Sequence, residues 1–444
     1  MPEIRPFRAV HYDRERVGGD LALAVAQPYD KVDERLRAEY LARHGENIVR
    51  IDLPREDDPA GGLDRYGLAA RRFREWLASG LLARDGRPGF YVYEQEYEAR
   101  GRRHARRGFV GLVEATDYGE GRVLPHERTF REPKADRMAL VRAVRAHLGM
   151  CFLIYSDPER RAMRALDDAV RRAGRGPFLE LRLPNGDVNR VHAVHDGAAI
   201  AAAREAMAGA TCVIADGHHR YEMTVAFRRE MEAAGETLPG YRYRLAALVN
   251  IDEPGLAVLP THRLLPASEG APPRPLAEVV AAATPWFRVE PIALSGADPE
   301  ALQADLERDP LPPARFVCVG RGRAAFRLTL RDDVDPDAPL AAVPASVRRL
   351  DLALLHGLWL ERGLGIRAGE SEHALAYIRE PRDGVTRIEE GRAAALILVR
   401  PTPVAEVIRV ARAGATMPQK STDFYPKLLS GLLMYDLEDG AAAG

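Results

Sequence analysis

The spacing of apolar residues in the first part of the chain predicts two helices followed by a hairpin. Apolar side chains recur at helical intervals from Asp33 to His44 and from about Leu63 to Ala78, and a glycine follows each run. The next segment, FYVYEQEYEARGRRHARRGFVGLVEA, holds two alternating, aromatic-rich runs around a glycine-containing turn. Alternation is typical of strands with one buried face, so we expect a β-hairpin here.

The middle of the chain mixes short apolar runs with helical periods. CFLIY at 151–155 predicts a buried strand, and the pair Asn185–Gly186 predicts a second hairpin. A Val/Ile strand and a tight turn precede a helix that we predict from about Tyr221. Residues 123–137 have no period and contain two prolines, which indicates a loop that leads into a helix near Ala135.

The last part of the chain predicts a second domain. Residues 268–275 are rich in Pro, Ala and Gly, as expected of a linker. Beyond them, strands alternate with helices near 299–307, 350–361 and 404–411, and the loop GATMPQKSTDFYPKLLSG precedes a short helix. We therefore expect an α/β (α+β) chain with a mixed-sheet core and a C-terminal α+β domain. The predicted ranges are 1–267 for the core and 276–439 for the second domain, which contributes the 417–427 loop to the site.

Composition and charge narrow the classes of function. The 64 Lys+Arg nearly balance the 65 Asp+Glu, so the net charge of −1 gives no general field for a nucleic acid or an acidic membrane. No apolar run reaches the ~18 residues of a membrane span, and the N-terminus lacks the apolar region of a signal peptide, so we expect a cytoplasmic protein. Cys151, Cys212 and Cys318 lie in separate apolar stretches, which is typical of buried, reduced thiols. The sequence leaves a homodimer open.

Lysine is rare in this chain. Only Lys31, Lys134, Lys420 and Lys427 occur among the 64 cationic residues. Because arginine serves here wherever charge alone matters, a retained lysine indicates a position that needs a compact charge for a single phosphate oxygen. We expect Lys420 to tolerate arginine far less than Lys31 does.

The strongest candidate for chemistry is the turn DGHHR, which spans Asp216–Arg220 between a strand and a helix. Gly217 lets the backbone approach a ligand, the first amides of the helix favour an anion, and Arg220 adds a planar fork for a phosphate. One alternative is a capped turn whose histidines face water. Another is a hydrolytic zinc site at His218 or His219, although adjacent histidines point in different directions and no H-E-x-x-H or C-x-x-C accompanies them.

The second candidate is the loop LPHERT, with Lys134 close behind it. A carboxylate in a rigid, cation-crowded loop stays ionised at neutral pH, so Glu127 could take a proton from a hydroxyl nucleophile. An exposed ion pair of Glu127 with Arg128 or Arg131 is the alternative.

The third candidate is the loop MPQKSTDFYPK at 417–427. Lys420, Ser421, Thr422 and Lys427 are donors that suit phosphate oxygens, although a plain surface turn fits the same pattern. Weaker candidates for substrate binding share this polar, proline-flanked character: His126, Thr261, His262, Arg263 and the segment Pro28–Asp30.

The order of these motifs resembles that of a known family. PYD, YVYEQEY, RRGFVG, PHERT, PKADR, ADGHHRYE, LPTHRL, LDLALLH and MPQKSTDFYPK follow one another as in the family called domain of unknown function 1015. ADGHHR also resembles, more distantly, the nucleotide-binding turn of ParB/sulfiredoxin-like proteins, some of which are free-serine kinases. This resemblance implies a ParB/sulfiredoxin-like catalytic core with inserted hairpins, in which residues 216–220 hold nucleotide phosphates and serine, and Glu127 is the base. The chain is much longer than those compact kinases, and nothing in them corresponds to the 417–427 loop.

Together the motifs and the resemblance predict a kinase. It would transfer a phosphoryl group from ATP or ADP with Mg²⁺ to a small hydroxylated metabolite, with free L-serine as the favoured acceptor. Lys134 or Lys420 would neutralise charge on the transferred group, Asp216 would hold Mg²⁺ or the acceptor's ammonium, and His218 or His219 would orient phosphate or hydroxyl. A nucleotide-gated regulator without metabolic turnover is the alternative. The mechanism requires the three candidate segments to line one anion-binding cleft.

Overall fold

The computed structural model describes residues 2–56, 62–127, 132–267, 273–292, 298–308, 313–367 and 374–440, without the side chains of residues 132–134. The chain forms two compact units that take alternating segments of the sequence. Unit 1 comprises Met1–Pro125, Thr129–Ala257 and Pro426–Gly444, and unit 2 comprises His126–Arg128 and Val258–Tyr425. The composition of residues 268–275 predicts a single domain boundary there. The chain instead passes from unit 1 to unit 2 at Ala257 and returns to unit 1 at Pro426.

Unit 1 contains a mixed sheet, as the sequence predicts. Its strands in chain order are β1 (Ile4–Arg5), β2 (Val10–Tyr12), β3 (Leu82–Arg84), β4 (Phe90–Ala99), β5 (Arg102–Glu114), β6 (Val123–Leu124), β7 (Ala146–His147), β8 (Cys151–Tyr155), β9 (Leu179–Arg182), β10 (Val188–Val194), β11 (Cys212–Asp216) and β12 (Tyr243–Asn250). The main sheet has the order β6-β11-β8-β12-β5-β4-β10-β9, with β1 paired to β5. The β6·β11 and β8·β12 pairs are parallel and the other pairs of this sheet are antiparallel.

The helices of unit 1 are α1 (Glu34–Arg43), α2 (Val49–Asp52), α3 (Arg65–Ala78), α4 (Glu132–Val144), α5 (Arg161–Ala173), α6 (Gly197–Met207) and α7 (His218–Ala234). The predicted starts of α1 and α3 are confirmed, because the side chains of Asp33 and Asp64 accept the first-turn amides of Leu36 and Gly67. The fully buried Tyr221 of α7 packs into the apolar core beneath the sheet. Helix α7 packs against β8 and β12 of this sheet, and the candidate turn joins it to β11.

Unit 2 is an α+β unit, also as predicted. Its strands are β13 (Ala257–Leu259), β14 (His262–Pro266), β15 (Phe287–Ile292), β16 (Arg315–Val319), β17 (Ala325–Leu330), β18 (Ala376–Ile378), β19 (Ala393–Leu398) and β20 (Asp423–Tyr425). Six of them form an antiparallel sheet in the order β15-β17-β16-β19-β14-β18. The helices are α8 (Leu276–Ala281), α9 (Pro299–Arg308), α10 (Ala345–Arg348), α11 (Asp351–Leu354), a π-helix (Leu355–Gly363), α12 (Pro381–Glu389) and α13 (Val404–Arg412).

Three expectations about elements need correction or completion. Helix α7 begins at His218, three residues before the predicted start. The short helix expected after the 417–427 loop is wrong: residues 428–434 form turns and single bridges, and strand β21 (Tyr435–Asp436) pairs with β7. Gly431, with a left-handed φ of 82°, interrupts this segment, and its leucines are buried on all sides rather than along one helical face. Most of the predicted linker, 268–272, lies outside the described residues.

The three cysteines are buried free thiols, as the sequence predicts. Within the described ranges, every helix is too short or too polar to cross a membrane.

Candidate functional site

The candidate turn of unit 1 joins strand β11 to helix α7. Asp216 is the last residue of β11, and Gly217 adopts a left-handed conformation with φ 91° and ψ 32° before α7 starts at His218. A Cβ atom at position 217 would lie 3.0 Å from Cζ of Arg220, so the turn requires glycine for its backbone angles and for space. The first amides of a helix have no partner within that helix, which makes this helix start a favourable place for an anion.

Asp216 accepts hydrogen bonds from two cations. Nζ of Lys427 lies 2.6 Å from its Oδ1, and Nη2 of Arg220 lies 2.5 Å from its Oδ2. All three side chains are largely buried, with exposures of 15% for Asp216, 11% for Lys427 and 9% for Arg220. Lys427, the last residue of the third candidate segment, therefore contacts the DGHHR turn.

The charges around Asp216 determine its protonation state. Burial by itself would raise the pKa of its carboxyl, but the charges of Lys427 and Arg220, the hydrogen bond from Lys427 and the charge of Lys31 outweigh burial and lower that pKa below its ordinary value. Asp216 is therefore ionised at neutral pH. Three cations act on this single carboxylate, and the charge of Asp30 also acts on one of them, Arg220.

A magnesium ion does not fit Asp216 in this arrangement. Both carboxylate oxygens already accept cationic donors, and Mg²⁺ requires oxygen ligands in a field that is not positive. Among the described residues there is also no group of three or more His, Cys, Asp or Glu side chains that could hold a metal. This part of the chain therefore gives no support to the zinc alternative. Asp216 therefore serves as a partner of cationic side chains and not as a metal ligand in this arrangement.

The predicted role of Arg220 also changes. Its guanidinium turns back into unit 1, where it donates to Asp216 and to the carbonyl oxygen of Met150. The charge of Asp216 raises the pKa of Arg220 against the lowering effect of burial. Arg220 thus adds positive charge to the turn, while the donors of its guanidinium that are named here bind protein oxygens, not a ligand. Arg220 and the half-buried His218 and His219 all lie in the first turn of α7.

Lys427 is positioned by a buried arginine that the sequence analysis passed over. Arg106 of β5 is 1% exposed, donates to the carbonyl oxygen of Pro426 at 2.7 Å, and lies over the ring of Phe152. It also donates to the side chain of Gln95, and burial lowers its pKa to about 10. Because Pro426 directly precedes Lys427, this hydrogen bond fixes the backbone from which Lys427 reaches Asp216.

The N-terminal PYDK segment contributes to the same cluster. Tyr29–Lys31 form a short 3₁₀ helix, and the charge of Lys31 acts on Asp216. Burial raises the pKa of Tyr29 to about 12, and its ring stacks under the guanidinium of Arg137 at 4.6 Å. That Lys31 tolerates arginine better than Lys420 does stays a prediction. Only the rarity of lysine could have indicated the place of Lys31 in this cluster from the sequence.

Glu127 organises the 417–422 loop inside unit 2. Its Oε1 accepts the backbone amides of Ser421 at 2.9 Å and Thr422 at 3.2 Å, and it lies 3.4 Å from the Thr422 hydroxyl. His126 Nε2 lies 2.7 Å from that hydroxyl, and the His126 carbonyl accepts the amide of Met417. Within the described part of the chain, all hydrogen bonds to this carboxylate go to Oε1, so Oε2 is left to accept a proton. The second and third candidate segments therefore meet here.

The other polar groups of this loop serve its own structure. The Ser421 hydroxyl donates to the carbonyl of Pro418, and the Ser421 carbonyl accepts from Thr402. Lys420 is exposed and has a left-handed backbone with φ 54°. Phosphate binding by these side chains stays a prediction. Arg128 lies outside the described residues, and the side chain of Lys134, on the first turn of α4, is not described either.

The Thr261–Arg263 segment lies beneath the same loop. Arg263 is fully buried and donates to the carbonyl oxygens of Gln419, at 3.1 Å, and of Thr261, and burial lowers its pKa to about 10. It also donates to Nε2 of His356 at 3.2 Å. His262, likewise fully buried, accepts the amide of Val399. These contacts favour a structural role for the segment over direct substrate binding.

Comparisons with known proteins identify a family and several distant structures. A family model described as "Protein of unknown function (DUF1015)" matches residues 4–353, which confirms the family predicted from the order of motifs. A free serine kinase in complex with AMP aligns over 71% of this chain and 89% of its own, with 14% identity and a TM-score of 0.35. A conserved hypothetical protein from Pyrococcus furiosus covers 72% and 93%, with 12% identity and a TM-score of 0.34. SbnI from Staphylococcus aureus, with a C-terminal truncation, covers 72% and 85%, with 8% identity and a TM-score of 0.34. A search of curated protein sequences gave no match.

Proposed function

We propose, for a chain that belongs to the DUF1015 family of proteins of unknown function, that it binds the phosphates of a nucleotide at the start of helix α7. One observation supports this most strongly: three cations, Lys427, Arg220 and Lys31, act on one ionised carboxylate at the N-terminus of a 17-residue helix. The positive charge of these side chains and the first amides of α7 are suited to a polyphosphate.

The reaction that we propose is phosphoryl transfer to the hydroxyl of a small metabolite, with L-serine as the favoured acceptor. The bond between the terminal phosphorus and its bridging oxygen breaks, and a new bond forms from that phosphorus to the acceptor oxygen. The ammonium groups of Lys427 and Lys31 would stabilise negative charge on the transferred group and on the departing nucleotide. The choice of serine rests on the resemblance of the DGHHR turn to that of free-serine kinases.

Glu127 is the proposed general base. Its carboxylate is oriented through Oε1 by two backbone amides, and Oε2 is left for the proton of the acceptor hydroxyl. Its side chain is 19% exposed, which leaves it partly accessible from solvent.

An assay of the full chain tests the function directly. Purified protein is incubated with ATP or ADP, Mg²⁺ and L-serine, and phosphorus NMR follows the products. The proposal predicts a new phosphomonoester signal that grows as nucleotide is consumed and that requires the acceptor. Nucleotide binding without acceptor-dependent turnover, over a panel of small hydroxy compounds, would instead support the nucleotide-gated regulator. Absence of both binding and turnover would overturn both functions.

A further inference from the structure

Unit 2 contains a cavity that the proposed phosphate site does not use. Its volume is about 570 Å³, within the range of small-molecule sites. It lies among the end of β17, helices α10 and α11 and the segment 400–403, and the loop residues Met417 and Ser421 also line it.

The walls of this cavity are mainly apolar. The apolar residues of these walls include Pro313, Ala314, Leu330, Val334, Leu350 and Leu354. Each methylene group of a ligand placed against such walls favours binding because it leaves water. The cavity therefore favours a ligand with a sizeable apolar body.

The lining contains the carboxylates of Asp332, Asp351 and Glu406, of which Asp351 is the most buried, at 16% exposure. Oδ2 of Asp351 accepts Nε of Arg400 at 2.9 Å and lies 2.8 Å from its Nη2. As far as the structure describes the chain, every hydrogen bond to Asp351 goes to Oδ2, which leaves Oδ1 as an acceptor. Burial raises the pKa of Asp351 although Arg400 opposes this effect. A ligand that donates a hydrogen bond or carries a positive charge would stabilise this carboxylate.

Guanidinium groups are also present in the lining. Arg349 is 66% exposed and pairs with Asp335 and Asp337, and Arg409 is 49% exposed and pairs with Glu406. Exposed ion pairs of this kind contribute little to stability, so either guanidinium can exchange its partner for a carboxylate of a ligand.

We propose that this cavity binds a free α-amino acid with a large apolar side chain. The ammonium group would donate to Oδ1 of Asp351, the side chain would pack on the apolar walls, and the carboxylate would face Arg349 or Arg409. Three separate features of the cavity match the three groups of one ligand class. No residue of the Asp216 cluster takes part in this inference, and it shares with the proposed phosphoryl transfer only the loop residue Ser421, whose amide orients Glu127.

Calorimetric titration of the full chain tests this site with defined probes. L-phenylalanine should bind, whereas N-acetyl-L-phenylalanine, which lacks the ammonium, and glycine, which lacks the apolar body, should bind at least 10-fold more weakly. Asp351→Asn should weaken phenylalanine binding at least 10-fold. Asp305→Asn, which removes an exposed carboxylate paired with Arg308 of α9, should stay within twofold of the unmodified chain, because both residues lie outside the cavity lining.

A second variant covers the case in which Asp351→Asn fails to fold because Arg400 loses its partner. Val334→Trp fills the cavity from a half-buried loop position and keeps the Asp351–Arg400 pair, and it should also weaken binding at least 10-fold. The proposal is overturned if phenylalanine and leucine give no binding at 10 mM, if the N-acetyl compound binds as well as the free amino acid, or if Val334→Trp binds like the unmodified chain.

Discussion

Asp216 acts in this structure as a counter-ion that holds cations in place. Hydrogen bonds between charged groups contribute about 1.5 to 3 kcal/mol each, and Asp216 accepts two of them from largely buried partners. The carboxylate therefore fixes Lys427 and Arg220 at the start of α7 without neutralising them fully. Because two cations face one carboxylate, these three side chains together carry a positive charge.

Lys427 is the residue whose loss should affect nucleotide binding most. Lys427→Met removes one charge beside Asp216 but leaves the Asp216–Arg220 pair, so the chain should still fold. We expect the Kd for ADP, measured by calorimetry, to rise about 10- to 100-fold, the range for one lost charge-assisted contact. Arg229→Met, at an exposed position later in α7, removes the same charge and is the matched control. Equal affinities for the two variants would exclude Lys427 from the site.

Replacement of Glu127 by glutamine separates its two proposed roles. The amide oxygen of glutamine can still accept the Ser421 and Thr422 amides, so the loop should keep its shape, while the proton acceptor is lost. We expect nucleotide affinity to be nearly unchanged and turnover to fall by about two to four powers of ten. Glu230→Gln, on the exposed face of α7, should leave turnover intact. Unchanged turnover in Glu127→Gln would remove Glu127 from the mechanism.

His356 should make the stability of the chain depend on pH. Burial and the charge of Arg263 lower its pKa to about 3, against about 6.5 in an unfolded chain. Between these values the unfolded state binds the extra proton, so the stability that neutral His356 contributes is complete above pH 6.5 and is lost as the pH falls toward 3. The loss from this group approaches about 1.4 kcal/mol per pH unit.

Urea unfolding at several pH values measures this effect. The free energy of unfolding of the unmodified chain should fall more steeply between pH 6.5 and 4.5 than that of His356→Gln, because glutamine does not titrate. Parallel curves for the two proteins over this range would show that His356 is already protonated, or exposed, in the folded chain.

At the scale of elements, the start of α7 depends on one glycine. Gly217→Ala places a Cβ 3.0 Å from the Arg220 guanidinium on a backbone with φ 91°. Gly235 follows the other end of the same helix with φ 66° and has open space around it, so Gly235→Ala carries only the backbone cost. We expect about 1 kcal/mol of destabilisation for Gly235→Ala and about 2 to 4 kcal/mol for Gly217→Ala.

The comparison of these two variants by thermal or urea unfolding isolates the contact with Arg220. Gly217→Ala should also weaken ADP binding, whereas Gly235→Ala should not. If both variants lose the same stability, the close packing of Arg220 against Gly217 does not contribute to the fold.

Elements that depend on local signals could be predicted from the sequence. Helices α1 and α3 begin where Asp33 and Asp64 cap them, and the long hairpin turns at Arg100–Gly101 as its alternation indicates. The start of α7 depends on Gly217 and also on Arg220, whose burial against Met150 cannot be inferred from spacing. Because arginine is usually exposed, the sequence pattern predicts that Arg220 faces solvent and is available to a phosphate.

At the scale of the whole molecule, the order of the sequence does not follow the two units. The composition of 268–275 predicts that the chain divides once, into two consecutive domains. Instead, Pro426–Gly444 belong to unit 1, and His126–Arg128 belong to unit 2. Long-range pairs such as Lys427 with Asp216 join residues more than 200 positions apart. A single sequence carries no signal for such pairs, so only the chemistry of each segment was predictable, together with the family.

A crystal structure of the full chain with ADP tests the central claim most directly, because it locates the phosphates. If the start of α7 holds the nucleotide, phosphate oxygens should lie about 2.7–3.2 Å from the backbone amides of His218 and His219 and from Nζ of Lys427. A well-defined ADP whose phosphates contact none of these atoms would contradict this claim.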